Sequence, residues 1–334
     1  MRLGRGWMAG IDLGGTKILT GLADADGRLV AEVEVATCAE QGSAAVVGRM
    51  AETVKQLLEQ VGAEEEELAG MVAASPGPLN PVTGVVYYPP NLGWCEFPLR
   101  EALADIFPVP IEIENDASLA ALAEYRYGYG GRYDPLLYMT VSTGVGGGIV
   151  IDGSIYHGAG GAAGEFGHMK LLPDGPLCGC GCRGCLETLA SGTAMARQAR
   201  ELAERGQGKR MLELAGNCPE EITARTVGEV ARGGDAEAGE IILRTGRWLG
   251  IGLANLVNIF DPAAIVLGGG AALGLGALLL DPAREEMKRQ VMRGLGKKTE
   301  ILPAKLGGRS GLLGCLALAE QKEWIKSGGV VVGN

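Results

Sequence analysis

Along the first third of the chain, short apolar runs end in glycine turns and alternate with longer amphipathic stretches. Residues 8–13 are one such run. They stop at Gly14-Gly15-Thr16 and predict a buried strand. Residues 18–24 and 28–36 predict a hairpin joined at Asp26-Gly27, a dipeptide suited to tight turns. Between 43 and 61, Val46, Val47, Met50, Val54, Leu57 and Leu58 recur at helical spacing and predict one buried helix face. A second apolar run, 69–74, stops at Ser75-Pro76-Gly77-Pro78. A short helix over 99–107, a strand over 109–114 and a helix over 117–127 complete this part.

A similar cycle then begins. Residues 136–142 predict a strand, followed by the glycine turn 143–148 and a strand to 151. Helices are expected over 192–205, 226–231 and 236–260, then a strand at 263–267 and a helix near 281–293. A strand at 299–305 and a last helix over 311–323 follow, and the glycine-rich tail 326–334 is expected to fray. Alternating strands and helices predict an α/β architecture. Residues 262–280 carry no charge and approach the length of a membrane span. Gly268, Gly269 and Gly270 lie together inside that stretch, so a buried strand and its turn explain it better. The segment before Asp12 has no apolar stretch long enough for a secretory leader, and a cytoplasmic protein is expected.

Composition sharpens the class. The 334 residues suffice for about two domains, and 47% are hydrophobic, so large cores can be buried. Glycine accounts for 56 residues without a collagen-like period, which points to many tight turns. The net charge of −10 and the lack of a basic stripe argue against nucleic acid or an anionic membrane as partner. The acidic run 64–67 and the basic residues around Lys297 read as solvated faces.

The densest chemistry lies between 158 and 187. Cys178, Cys180, Cys182 and Cys185 fall within eight residues, with His168 ten residues upstream. Three thiolates and one imidazole are the usual set for a closed, structural Zn2+ site. Free thiols, disulfides and an iron–sulfur cluster are the alternatives; the last would more naturally use four cysteines and no histidine. His157 is the only other imidazole. Glu165 and Glu187 bracket the segment.

Two further places carry candidate chemistry. Asp12, Gly14, Gly15, Thr16 and Lys17 put an acid at a strand end, then a turn whose N–H groups, hydroxyl and ammonium can meet phosphate. Asp12 suits Mg2+, directly or through water. The turn 143–148, in the other half of the chain, is of the same type. Asp116 stands between a strand and a helix, where it can cap the helix or accept the proton of an attacking hydroxyl.

Together these pieces resemble the ROK family (repressors, open reading frames and kinases). The resemblance rests on DLGGTK at 12–17, SPGP at 75–78, NLGW at 91–94, ENDA at 114–117, STGVGGG at 142–148, GEFGH at 164–168, CGCGCRGCLE at 178–187 and VLGGG at 266–270. It runs from about residue 10 to 320 and is strongest toward the bacterial glucokinase branch. It implies an actin-like, ribonuclease-H-like fold of two lobes with an interdomain cleft. The smaller lobe would hold 1–116 and 308–334, and the larger 117–307. It implies ATP-dependent phosphorylation of the 6-hydroxyl of glucose, with N-acetylmannosamine, N-acetylglucosamine or fructose as rival acceptors.

Asp116 matches the family's catalytic base. Gly77, Asn115, Asp116, Glu165, His168 and Glu187 match sugar-binding positions, and Thr143, Gly144, Gly268, Gly269 and Gly270 match nucleotide-binding ones. Zinc would fall to His168, Cys178, Cys180 and Cys185, with Cys182 spare. Two departures are Cys182 itself and Ser118, where related chains often carry Asn. The family also contains sugar-responsive transcription regulators with an N-terminal helix-turn-helix domain. With the first phosphate turn at Asp12, none is expected here. A homodimer or homotetramer is expected.

Overall fold

The computed structural model describes residues 6–296 and 298–326. Lys297 and the tail beyond Lys326, for which the sequence suggested a solvated face and fraying, lie outside the described residues. The first part of the chain forms β1 (Trp7–Leu13), β2 (Lys17–Ala23), β3 (Leu29–Ala36), α1 (Ser43–Gln60) and β4 (Leu68–Ser75). Three two-residue strands follow, β5 (Leu79–Asn80), β6 (Val85–Val86) and β7 (Phe97–Pro98), then α2 (Leu99–Ala104), β8 (Ile111–Asn115) and α3 (Asp116–Ala123). Next come β9 (Leu136–Val141), β10 (Val145–Ile151) and β11 (Ser154–Ile155). The helices α4 (Leu186–Ala190), α5 (Gly192–Glu204), α6 (Lys209–Leu214), α7 (Ala224–Arg232) and α8 (Ala236–Phe260) lead to β12 (Ala264–Gly268). The described chain closes with α9 (Gly270–Leu275), α10 (Ala277–Gln290), β13 (Glu300–Pro303) and α11 (Ser310–Gln321).

These elements group into two compact units. The first takes the described residues of Met1–Arg132, Gly148–Ala163 and Lys305–Asn334; the second takes those of Tyr133–Gly147 and Gly164–Ala304.

The main sheet of the first unit has the order β3-β2-β1-β4-β8. Strands β1, β2 and β3 are antiparallel neighbours, whereas β4 and β8 run parallel to β1. This is the ribonuclease-H-like arrangement, and the protein has the actin-like α/β fold. The predicted hairpin turn is present: the Asp24 carboxylate accepts the N–H groups of Asp26 and Arg28, and Gly27 adopts φ of 79°. Both sheet faces are buried, which the two-residue period of β1 makes visible. Ala9, Ile11 and Leu13 join Val46, Met50, Val54 and Leu57 of α1 on one face. Met8 packs on the other with Leu119 and Leu122 of α3 and Leu313 and Leu316 of α11.

The strand register matters most for function. Asp12 pairs with Ala74, and Ser75 with Asn115. The C-terminal ends of β1, β4 and β8 therefore finish at one level, on the rim where open α/β sheets characteristically bind ligands.

Two helices depart from the expectation. The helix expected over 117–127 is α-helical only to Ala123, and Glu124–Gly128 form a π-helical turn. There the Glu124 carboxylate accepts the N–H groups of Lys305 and Leu306, each at 2.9 Å, where the chain returns toward α11. The Lys305 ammonium binds the Gly128 carbonyl at 2.9 Å and stands 4.0 Å from the Tyr129 ring centroid. The helix expected near 281–293 runs instead from Ala277 to Gln290, after a separate α9, because Gly276 breaks the path at φ 54°.

In the second unit β12 lies between β9 and β13, parallel to both. The uncharged stretch at 262–280 is thus a buried strand, a turn and helical segments, as its glycines suggested. No helix among the described residues is long and apolar enough to cross a membrane.

Candidate functional site

At the rim of the first unit, Asp12 is the penultimate residue of β1, beside the turn to β2. Gly14 donates its N–H to the Lys17 carbonyl at 2.9 Å. Thr37 pins the turn from behind, its hydroxyl donating to the Gly14 carbonyl at 2.7 Å and its N–H to the Thr16 carbonyl at 2.9 Å. Burial pushes the Asp12 carboxyl up to about 6, opposed by the nearby Lys17. Gly311 of α11 stands against this carboxylate so closely that a β-carbon there would overlap it. The Lys17 ammonium is engaged by Glu34 at 2.6 Å, an exposed pair that a phosphate could displace at small cost.

The next exits from the same rim are Gly77, two residues beyond β4, and Asn115–Asp116 at the end of β8. Asn115, rather than Asp116, is the N-cap of α3: its side-chain oxygen accepts the N–H groups of Ala117 and Ser118 at 3.0 and 3.1 Å. Asp116 is the first residue of the helix, and its Oδ1 accepts the Ala117 N–H at 2.7 Å. The capping role weighed for Asp116 from sequence is thus held by its neighbour.

The second unit holds the remaining candidates. Thr143 and Gly144 form the turn between β9 and β10. The Thr143 carbonyl accepts the hydroxyl of Thr193 at 2.8 Å, and the Ser142 carbonyl accepts the Gly192 N–H at 2.7 Å. These bonds tie the turn to the start of α5. A cavity of about 570 Å³ opens beside it, lined among others by Thr143, Thr193, Arg225, Gly270 and Leu275. Residues of α5, α7 and α9 all contribute to its wall. Of the predicted glycines, Gly270 lines this cavity. Gly268 and Gly269 lie behind it, where β-carbons would overlap Tyr138 and the Val141 carbonyl. Thr193, Thr223, Arg200, Arg225 and Arg232 escaped the sequence reading. They come from helices distant in sequence, and no short motif marks them.

Also in the second unit, the ligand atoms of His168, Cys178, Cys180 and Cys185 lie within 4.8 Å of one another. The separation of Cys178 Sγ from His168 Nδ1 is 3.6 Å, and that of Cys180 Sγ from Cys185 Sγ is 3.7 Å. A tetrahedral zinc with ordinary bond lengths gives edges of about 3.6 Å for N···S and about 3.8 Å for S···S. The donor set therefore fits the ion. Cys182 is exposed and outside this group. The Lys170 ammonium donates to Cys185 Sγ at 3.2 Å.

The three sugar-site candidates of this unit surround that cluster. His168 Nε2, on the far side of the ring from Nδ1, is 3.8 Å from Glu165 Oε2. Burial raises the Glu165 carboxyl, His168 opposes the rise and Glu187 adds to it. Glu187 lies in the first turn of α4, its Oε2 accepting the Val145 N–H at 2.9 Å and its Oε1 3.8 Å from Cys178 Sγ. Gly144, expected only as a phosphate-turn residue, also makes room for this carboxylate: a β-carbon would overlap Glu187 Oε2.

An acid-tipped parallel rim in one unit and a cavity walled by three helices in the other define an actin-like α/β protein with a candidate site in each unit. Residues 8–322 match the ROK family, and the chain belongs to it. It is 35% identical over 321 residues to a glucokinase of Streptomyces coelicolor, covering 95% of this chain and 99% of that one. Among solved structures it is similar to a ROK family glucokinase from Streptomyces griseus in complex with glucose and AMPPNP. That match has a TM-score of 0.79 and 35% identity, over 95% of this chain and 100% of the other. The ROK hexokinase of Thermus thermophilus matches with a TM-score of 0.78 and 36% identity, over 93% and 97% of the two chains.

Proposed function

We propose that this protein is a glucokinase, transferring the γ-phosphoryl group of MgATP to the 6-hydroxyl of glucose. The observation that carries the reading is the register that brings Asp12, Gly77 and Asn115–Asp116 to one rim of a parallel sheet. The similarity to the Streptomyces griseus enzyme solved with glucose and AMPPNP supports both substrates.

Asp116 accepts the proton of the 6-hydroxyl as it attacks the γ-phosphorus; an ordinary Asp is ionised at neutral pH and ready for this step. Asn115, Glu165, His168 and Glu187 bind sugar hydroxyls, and the Gly77 segment contributes backbone. The turn 14–17 and Thr143–Gly144 bind phosphates through N–H groups and hydroxyls, while the cavity beside Gly270 takes the adenosine. Asp12 would hold magnesium, which supplies charge neutralisation at the phosphates. His168, Cys178, Cys180 and Cys185 would hold zinc, which supplies a fixed loop shape. With Nδ1 committed there, His168 is left with Nε2 for a sugar hydroxyl. A cytoplasmic location and a homodimer or homotetramer belong to the same reading.

A coupled assay across glucose, mannose, fructose, N-acetylglucosamine and N-acetylmannosamine tests the acceptor. Glucose should show the highest kcat/KM. A preference for an N-acetylated sugar would overturn the acceptor assignment, and turnover of no hexose would overturn the class.

A further inference from the structure

The chain has two histidines, and the proposed function uses only one. The other, His157, follows β11 in the first unit, at the start of a loop closed by the Ala163 N–H on the His157 carbonyl at 3.1 Å. Its Nε2 lies 2.6 Å from Glu114 Oε2. Glu114 is the penultimate residue of β8, and its side chain is 5% exposed. The other carboxylate oxygen, Oε1, accepts the backbone N–H of Asn115 at 2.7 Å. One buried carboxylate thus joins an imidazole on one side to the N-cap of α3 on the other, and Asp116 is the next residue along.

We propose that His157 is a positioning residue for phosphoryl transfer: through Glu114 it fixes the Asn115–Asp116 turn that presents Asp116 to the sugar hydroxyl. The inference rests on the role proposed above for Asp116. Its physical basis is the cost of leaving a buried carboxylate with an unsatisfied oxygen. With the imidazolium in place both Glu114 oxygens are engaged, and the N–H that begins the turn has one geometry available. Without it, Glu114 gains by turning toward water, and the bond to Asn115 loosens.

The surrounding charges favour the charged imidazole. The hydrogen bond to Glu114 raises the His157 value, partial burial opposes it, and Glu114's charge raises it further. Two other charged groups face the ring. Lys322, after α11, lowers the value, and Glu112, two residues earlier on β8, raises it. Glu112 is itself paired with Lys322 at 2.8 Å and Arg100 at 3.4 Å, so Glu114 dominates. A histidine raised in the folded state contributes stability that is complete below its ordinary value and is lost as pH rises through the raised one. Above that point the imidazole is uncharged, and the buried Glu114 carboxylate keeps its hydrogen bond but loses the countercharge that offsets its burial.

The test is the pH profile of kcat for the wild type and for His157→Gln, His157→Lys and Asp116→Asn. The wild type should show an alkaline fall at the raised histidine value. His157→Gln should lower kcat about 5-fold at pH 6.5, because an amide donor brings no countercharge to the buried Glu114 carboxylate, and should lack that fall. Its KM for ATP should be unchanged. His157→Lys keeps a donor that remains charged, so it should recover most of the turnover and hold it to higher pH. A His157→Gln profile that superimposes on the wild type overturns the inference, as does a variant that loses only thermal stability. Asp116→Asn separates the two readings. Normal turnover in that variant removes the base assignment itself, whereas an inactive Asp116→Asn beside an unaffected His157→Gln removes only the positioning role.

Discussion

Gly311 lies where any side chain would overlap the carboxylate of Asp12. The two come from opposite ends of the chain, and the missing β-carbon lets α11 close over the end of β1. Gly308, three residues earlier, has nothing within 4 Å of a β-carbon. Gly311→Ala should therefore lower turnover and thermal stability, while Gly308→Ala should change both little. Kinetics and thermal unfolding of the pair check this.

Asp12 also predicts a pH signature. Its folded value of about 6 lies above the ordinary 3.8, so the native state binds the proton more tightly than the unfolded chain. That contribution favours folding below 3.8, shrinks as pH rises between the two values and is lost above about 6. At pH 7.5 the metal-free protein therefore carries an unfavourable buried charge. Asp12→Asn should raise stability there by about 1–3 kcal/mol, converge with the wild type below pH 4 and abolish turnover. Urea unfolding in the presence of a chelator is the measurement. A destabilised variant at pH 7.5 would show the charge to be satisfied by the protein itself.

Asp116→Asn should leave glucose binding nearly intact while lowering kcat at least about 10²-fold, the scale of lost general-base assistance. Calorimetric binding and steady-state rates separate the two. Near-normal turnover would remove Asp116 from the chemistry.

Purified protein should contain one zinc per chain. Cys182→Ser should retain it and Cys180→Ser should lose it, as read by elemental analysis. Removing the metal should raise KM for glucose and leave KM for ATP little changed, because a glycine-rich loop without its ion has more conformations to lose on binding sugar. Normal glucose binding with slow turnover would assign the ion to the chemical step instead.

Gly144→Ala should behave like a sugar-site mutation, although the sequence marks the position as a phosphate turn. Its β-carbon would push Glu187 from the Val145 N–H. Glu187→Gln and Gly144→Ala should both raise KM for glucose, and both should keep their metal. If Gly144→Ala altered only KM for ATP, the close approach to Glu187 would be without consequence.

Much of this was legible from local pattern. The buried face of α1, the β2–β3 hairpin and the buried run at β12 follow from periodicity and turn residues, because each is decided by neighbours in sequence. The cysteine spacing likewise marks a loop whose donors converge. What was not legible depends on partners far along the chain. Nothing in the sequence around Arg225 or Thr193 says that α5 and α7 share a cavity wall, and no motif ties Glu114 to His157, 43 residues away. The split of the expected 117–127 helix into an α and a π segment belongs to the same class. Glu124 at that junction is held by the N–H groups of Lys305 and Leu306, about 180 positions later.

The common level at which β1, β4 and β8 end constrains how the chain can change in length. A residue inserted within β4 would move each following side chain to the opposite face and carry Gly77 away from Asn115. The same insertion at Gly206, where nothing lies within 4 Å of a β-carbon, would lengthen a link between two helices. Natural variation in loop length should therefore gather around segments such as the α5–α6 connection. The spacings from Asp12 to Ser75 and from Ser75 to Asn115 can drift only in the connections between those strands, never inside them.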